Sequence, residues 1–240
     1  MSRKEKLTTF LTTIIFLVMA ILFTAKDNDY AIVKDIKYLF SKEEIISKYN
    51  IPLYDGKDYV VINGNEPIFD DKEFDKSFTK FSDLDSLGRC GEAYGYLGYD
   101  LMPTLPRESI GSVKPSGWQY SKYDFIENKY LYNRCHLIAF QLTGENANEK
   151  NLITCTRYMN SVSMLEFENK VANYIRKTHN HVLYRVTPIF DNDNLVASGV
   201  QMEAYSVEDN GKGVKYNIFV YNIQPNIEID YKTGKNWLNN

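Results

Sequence analysis

Hydrophobic and polar positions divide the chain into an apolar N-terminal run, a short amphipathic segment and a long stretch with strand-like patterning. The run over residues 8–25 carries no charge and follows a basic N-terminus. A helix over these residues would measure about 27 Å, close to the thickness of a bilayer core. This length and lack of charge predict that residues 1–25 are a membrane anchor. Because a basic flank stays inside the cell, the rest of the chain is expected outside.

A cleaved signal peptide is the competing interpretation of residues 1–25. Ala25 suits the position before a cleavage site, whereas Phe23 does not suit the position two residues earlier. The next residues, 26–50, place apolar side chains at helical spacing and predict a helical stalk. Residues 51–240 are then predicted to form the main domain.

Within this domain, alternation of apolar and polar positions predicts strands, several of them separated by Asn-Gly or Asp-Gly turn signals. An acidic segment, 70–81, instead predicts a short surface helix. The predicted strands outside the centre of the domain are 58–63, 90–99, 181–191, 195–206 and 214–223. The last three follow one another with short turns, as in an antiparallel meander.

The centre of the domain, residues 130–178, has the pattern strand, polar loop, strand and helix. The first strand begins at Tyr130, the loop covers 144–150, the second strand covers 152–156 and the helix covers 164–178. Together these elements predict an α+β fold with a mixed or antiparallel central sheet.

Composition supports a folded domain rich in strands. Nineteen tyrosines and thirteen phenylalanines favour strands, and a hydrophobic content of 44% allows a sizeable core. The net charge of −3 is unlike the basic face of most polyanion-binding proteins. Basic residues nevertheless outnumber acidic ones between residues 103 and 188, so a local cleft can still attract phosphate.

The three cysteines, Cys90, Cys135 and Cys155, form neither a disulfide framework nor a CxxC or Cys/His cluster. A structural zinc site is therefore not expected. One bridge is compatible with an extracellular location, Cys90 to Cys155 being one option, and the sequence does not assign it.

The central region holds one imidazole and several amide side chains. His136, with an ordinary pKa of about 6.5, suits a general base near neutral pH. Asn160 offers a neutral oxygen to a hard cation such as Mg²⁺, which keeps several waters. Glu168 follows about two helical turns later on roughly the same face and can hydrogen-bond those waters. Such a set suffices to hydrolyse a phosphodiester with one metal ion.

Each candidate residue also has a structural interpretation. A lone histidine after a strand is more often structural than catalytic, and an isolated asparagine often caps a helix or forms a turn. His179 and His181 form an HxH pair without a third ligand nearby, which indicates turn and strand residues. Arg107 and Lys114 lie in a loop-rich arm, 103–131, as solvated cations or as phosphate contacts.

Four segments together carry a likeness to a known family: SGW at 116–118, LYNRCHLI at 131–138, NLIT at 151–154 and RYMN at 157–160. From about Cys90 to Trp237 the chain resembles the DNA/RNA non-specific endonucleases. These are ββα-metal, or His-Me finger, nucleases with an Asp-Arg-Gly-His signature. The likeness is greatest to bacterial DNA-entry and secreted streptococcal-type nucleases. It implies a ββα-metal finger at about 130–178.

The resemblance also implies a role for individual residues. His136 is expected to be the general base, Asn160 the ligand of Mg²⁺, for which Mn²⁺ can substitute, and Glu168 the carboxylate beside the metal's waters. Arg134 is expected to contact the phosphate or transition state, and Asn151 to brace the finger or touch substrate. The expected substrate-binding cations are Arg107, Lys114 and Arg157.

Two residues depart from the family signature. Asn133 stands in place of Asp, which removes a negative charge near the site, and Cys135 stands in place of Gly. Cys135 would be strained if its position required a positive φ, whereas the ordinary β region accommodates it. We favour the second interpretation.

The sequence therefore predicts a metal-dependent endonuclease that cleaves DNA with little sequence preference, with RNA left open as a second substrate. It is expected at the cell membrane as a single-pass protein with its catalytic domain outside, or secreted after signal cleavage. One alternative function is a catalytically impaired DNA-binding module acting in DNA uptake, and another is an interaction protein with an accidental motif match. A protein inhibitor and the DNA-uptake machinery are the further partners considered.

Overall fold

The computed structural model describes residues 46, 48–72 and 74–239. The predicted anchor or signal at 1–25 and most of the predicted stalk at 26–50 lie outside these residues. Within the described ranges, no helix is both long enough and apolar enough to cross a membrane.

The described part of the chain contains ten strands and two α-helices, and 3₁₀ or π turns precede or follow several of them. The helices are α1 (Phe140–Thr143) and α2 (Met164–Thr178). The strands are β1 (Tyr59–Val61), β2 (Phe78–Phe81), β3 (Ala93–Leu97), β4 (Tyr132–His136), β5 (Leu152–Thr156), β6 (Val182–Ile189), β7 (Gly199–Ser206), β8 (Lys215–Tyr221), β9 (Ile227–Ile229) and β10 (Asn236–Leu238).

Six strands form the central sheet in the spatial order β1, β8, β7, β6, β3, β2, and every neighbouring pair is antiparallel. Strands β6, β7 and β8 follow one another in sequence and in space, which confirms the predicted meander. The structure thus has the α+β class, and its sheet is antiparallel rather than mixed among the described residues.

The predicted helix over 70–81 is wrong. Its C-terminal part is strand β2, which pairs with β3 from Phe78 opposite Tyr96 to Phe81 opposite Ala93. Phe74 and Phe78 pack edge to face with ring centroids 5.0 Å apart, and Phe74 also contacts Tyr96. Aromatic packing on the sheet and strand pairing therefore override the local acidic pattern.

Helix α2 covers one face of the central sheet. Its side chains Val171, Ala172 and Ile175 are fully buried, and they belong to the same apolar cluster as Tyr184 of β6 and Met202 of β7. Full burial of a valine or isoleucine side chain contributes about 1.5–3 kcal/mol. This packing fixes the helix relative to the sheet.

Strands β4 and β5 form a separate antiparallel pair, which together with α2 we call the finger. Asn222, fully buried at the end of β8, docks this pair on the rest of the domain. Its side-chain oxygen accepts a hydrogen bond from the Thr156 amide at 2.9 Å, and its nitrogen donates to the Thr154 carbonyl at 3.2 Å. The finger is thus anchored through polar contacts that no solvent reaches.

A disulfide joins the two finger strands through Cys135 and Cys155, whose Cα atoms lie 5.8 Å apart. Cys135 lies opposite Ile153, two residues from Cys155, so strand alternation turns both sulfurs to the same buried face. Cys90 is a free, buried thiol that donates to the Leu152 carbonyl. The bridge from Cys90 to Cys155, considered from the sequence, is therefore not the one formed.

Loss of this disulfide should destabilise the domain. The bridge closes a loop with a sequence separation of 20, so replacing both Cys135 and Cys155 by serine should lower the free energy of unfolding by about 3 kcal/mol. Urea unfolding with and without reductant measures the effect. Cys90→Ser is the matched control and should keep the response to reductant. If the unfolding midpoint of the unsubstituted chain is the same with and without reductant, the pairing of Cys135 with Cys155 is contradicted.

Candidate active site

A cleft of about 250 Å³ lies between the end of β4, the start of α2 and the arm that precedes β4. Its lining includes Arg107, His136, Asn160 and Glu168, which come from separate parts of the sequence. Arg107 comes from the arm, His136 ends β4, Asn160 lies in a π-helical turn and Glu168 lies on α2. The structure therefore brings together the imidazole, the amide and the carboxylate singled out in the sequence.

Successive side chains of β4 point alternately towards the apolar core and towards the cavities. Cys135 is fully buried in the apolar core, whereas Arg134 and His136 line the cavities on the opposite side. Cys135 is not among the residues with a positive φ. The position that holds Gly in the family signature thus accepts Cys in ordinary strand geometry.

His136 has its tautomer fixed by a backbone carbonyl. Its Nε2 lies 2.9 Å from the oxygen of Asn146, and because a carbonyl can only accept, this nitrogen carries the proton. The lone pair of the neutral ring is then on Nδ1, which lies 3.4 Å from Nη2 of Arg107. Burial lowers the pKa of His136, the Asn146 carbonyl opposes that shift and the Arg107 charge adds to it.

Asn160 lies in a π-helical turn, Met159–Ser163, that leads directly into α2. Such turns are rare and are found frequently at functional sites. The side chain is half-buried, lines the cleft and makes no hydrogen bond with another residue that the structure describes. Its amide oxygen is therefore available to a ligand.

Glu168 is a buried carboxylic acid, with 8% of its surface exposed. Burial raises its pKa to about 8, and the positive charge of Arg107 acts in the opposite direction. Arg107 is thus the cation that influences both ionisable groups of the cleft, His136 and Glu168.

Asn151 does not reach the cleft, because it is fully buried. Its side-chain oxygen accepts a hydrogen bond from the Ile138 amide at 2.8 Å, and its nitrogen donates to the Ile138 carbonyl at 3.0 Å. Of the two roles expected for Asn151, these contacts match bracing, because the side chain holds the chain just after His136.

The guanidinium of Arg134 binds the arm, residues 103–131. Its Nε donates to the Val113 carbonyl at 2.5 Å, its Nη2 donates to the Gly111 carbonyl at 3.0 Å, and its guanidinium stacks on Trp118 at 4.0 Å from the ring centroid. It lines a neighbouring pocket rather than the His136 cleft. In this position Arg134 braces the arm, and its expected contact with the phosphate or transition state stays a prediction.

The three expected substrate-binding cations have different positions. Arg107 lies in the cleft. Arg157 lines the neighbouring pocket and pairs with Glu127 at 2.6 Å. Lys114 is exposed and is not among the residues that line either cavity.

Asn146 contacts the candidate site in a way that residue type does not predict. Its backbone oxygen orients His136, while its side-chain oxygen accepts a hydrogen bond from the Glu108 amide at 3.0 Å and so ties the arm to the loop. A backbone carbonyl leaves no trace in residue type, and the polar character of the loop at 144–150 was the available signal.

The donor set of the cleft suits a hydrated hard cation. Among the residues that the structure describes, no three His, Cys, Asp or Glu side chains are grouped as ligands of one ion. Asn160 and Glu168 supply oxygen donors only, and an ion held by few protein atoms completes its shell with water or phosphate. The site thus fits a hydrated divalent cation that is held through oxygen atoms.

Comparison with known proteins gives a consistent result. A family model described as DNA/RNA non-specific endonuclease matches residues 73–222, more than half of the chain. NucA from Streptococcus agalactiae, solved with magnesium bound, has a TM-score of 0.66 at 24% identity over 75% of this chain and 86% of its own. Its metal-free form has a TM-score of 0.68 at 24% identity over 80% and 92%.

Sda1 nuclease, solved with zinc bound, has a TM-score of 0.60 at 26% identity over 74% of this chain and 95% of its own. At these levels of identity the NucA matches show a shared fold.

The pKa of His136 provides a direct check on the electrostatics of the cleft. We expect its imidazole to titrate below 6.5, because burial and the Arg107 charge disfavour the protonated form. Arg107→Gln should raise this pKa, and Lys114→Gln, which removes an exposed cation from the same arm, should not. NMR titration measures the values, and loss of one set of ring signals in His136→Ala assigns them. A value at or above 6.5 would refute this description.

Proposed function

Since the chain belongs to the DNA/RNA non-specific endonuclease family and is a nuclease, we propose that it cleaves DNA by metal-dependent hydrolysis with little sequence preference. RNA is a second substrate to be tested. The observation that carries the proposal is the convergence of His136, Asn160 and Glu168 on one cleft beside Arg107.

His136 acts as the general base. Its Nε2 proton is held by the Asn146 carbonyl, so Nδ1 is the nitrogen that takes a proton from the attacking water. The lowered pKa keeps the ring neutral at pH 7, which is the form that can accept a proton. Arg107 has Nη2 3.4 Å from Nδ1 and is placed to pair with the phosphate.

Asn160 is the proposed protein ligand of the metal ion, and an oxygen of Glu168 would accept hydrogen bonds from water bound to that ion. When bound, a divalent cation offsets the charge that develops on the phosphate and on the leaving oxygen. NucA was solved with magnesium and Sda1 with zinc, which supports a divalent cation for this chain. Mg²⁺, with Mn²⁺ as a substitute, is our choice because the donors are oxygens.

Low sequence preference follows from the character of the cleft. Arg107 contributes a charge that recognises phosphate, and phosphate contacts carry no base identity. The departures from the family signature do not damage this arrangement, because Cys135 faces the core and Asn133 lines the neighbouring pocket. These positions favour an active enzyme over the impaired DNA-binding module.

We also propose that residues 1–25 anchor the protein in the cell membrane with the nuclease domain outside, secretion after signal cleavage being the alternative. The disulfide between Cys135 and Cys155 supports an oxidising location, because disulfides persist mainly outside the cytosol. The further partners that we propose are the DNA-uptake machinery and a protein inhibitor.

Replacing the base should abolish most of the activity. His136→Ala should lower kcat by about 10²–10⁴-fold on plasmid DNA with Mg²⁺, the usual contribution of a general base. The control is His181→Ala, because His181 pairs with Glu208 and is not among the residues that line the cleft. Circular dichroism should show both variants folded. A folded His136→Ala protein with the wild-type kcat would refute the role of His136 as the general base.

Removing the amide should weaken the metal site. Asn160→Ala should raise the Mg²⁺ concentration that gives half-maximal cleavage by about tenfold or more, since it loses the direct protein ligand. Asn173→Ala is the control, because Asn173 is an exposed asparagine of α2 that is not among the residues lining the cleft. An unchanged Mg²⁺ requirement in Asn160→Ala would show that the ion binds elsewhere.

A further inference from the structure

A second pocket of about 390 Å³ adjoins the cleft of His136. Arg107 and Asn160 line both cavities, so a nucleic acid whose scissile phosphate lies in the cleft passes the mouth of this pocket. The volume is within the range of about 300–1,000 Å³ that is typical of small-molecule sites. It is therefore large enough for one nucleoside.

The wall of this pocket is aromatic. An antiparallel bridge between Lys122 and Tyr130, followed by the hydrogen bond from the Leu131 amide to the Ser121 carbonyl, places Tyr120 and Tyr130 on the same side. Both rings line the pocket, and they are 71% and 43% exposed. Two accessible rings beside a phosphate-binding cleft match the stacking platforms of proteins that bind single strands.

Trp118 extends this aromatic surface. Its ring meets that of Tyr120 edge to face with centroids 5.9 Å apart, and Arg134 covers one of its faces. Arg134 is itself held by arm carbonyls, so the tryptophan is fixed before any substrate arrives. This part of the pocket wall is therefore in place without a bound ligand.

Charge and hydrogen-bonding capacity also suit a nucleotide. The residues that line the pocket include Arg107, Arg134 and Arg157 and none that is acidic, although Arg157 is paired with Glu127. Three buried donors of the lining residues have no partner among the described residues: Trp118 Nε1, Asn133 Nδ2 and Arg157 Nε.

We propose that this pocket is a base-stacking subsite, which takes one unpaired nucleobase adjacent to the cleaved phosphate on the rings of Tyr120 and Tyr130. In a duplex the bases are stacked and paired, and a base must leave the stack before it can enter such a pocket. The chain therefore prefers single-stranded or locally unpaired nucleic acid over duplex. The inference rests on the proposed nuclease function and names the substrate form that the same site favours.

The test compares cleavage of one short DNA sequence as a single strand and as a duplex, with the full chain and Mg²⁺. Tyr120→Ala should lower kcat/KM on the single strand by about tenfold and on the duplex by less than about twofold. Tyr120→Phe should restore the single-strand value, because stacking needs the ring and not the hydroxyl. The control is Tyr49→Ala, at an exposed tyrosine that is not among the residues lining the pocket.

A binding measurement separates this proposal from the nuclease function. Binding of the His136→Ala variant without metal should quench the fluorescence of 2-aminopurine in a single strand. The double variant with Tyr120→Ala should not quench it. If the wild-type chain does not cleave nucleic acid, the proposed nuclease function is refuted. The binding measurement still tests the base-stacking subsite in that case. Equal losses on both substrates, unchanged kcat/KM in Tyr120→Ala, or no quenching would overturn the subsite.

Discussion

The antiparallel pairing of β4 with β5 is the interaction on which the site depends. Its two-residue alternation turns Cys135 and Cys155 into the core, where they are bridged, and leaves His136 on the open side. A slip of one residue would exchange the two faces and remove the base from the cleft. The disulfide and the docking through Asn222 hold the register at which His136 faces Asn160 and Glu168.

The electrostatics of the cleft follow from burial combined with a single nearby cation. Burial favours the neutral form of both His136 and Glu168, and the Arg107 charge keeps the imidazole neutral while favouring an ionised carboxylate. At pH 7 the cleft thus holds a neutral imidazole, an unbound amide oxygen at Asn160 and a mostly protonated carboxyl group, whose ionisation a bound cation would favour.

Much of this arrangement follows from local pattern. The finger strands, α2 and the meander have clear periodicity, and the family signature singled out His136 and Asn160. The rest depends on tertiary contacts that local pattern does not contain. The segment 70–81 joins the sheet because aromatic packing outweighs its acidic character. Arg134 becomes a brace because the arm folds over it, and Asn146 acts through a carbonyl that every residue possesses.

The central claim is that His136 and Asn160 serve one cation site in one cleft. A crystal structure with Mn²⁺ and a short oligonucleotide, using the His136→Ala variant to prevent cleavage, tests it most directly through anomalous scattering. The account predicts a single strong peak in the cleft, within about 2.3 Å of the Asn160 side-chain oxygen and beside a phosphate. A peak remote from Asn160, or a phosphate bound with no ion in the cleft, would contradict it.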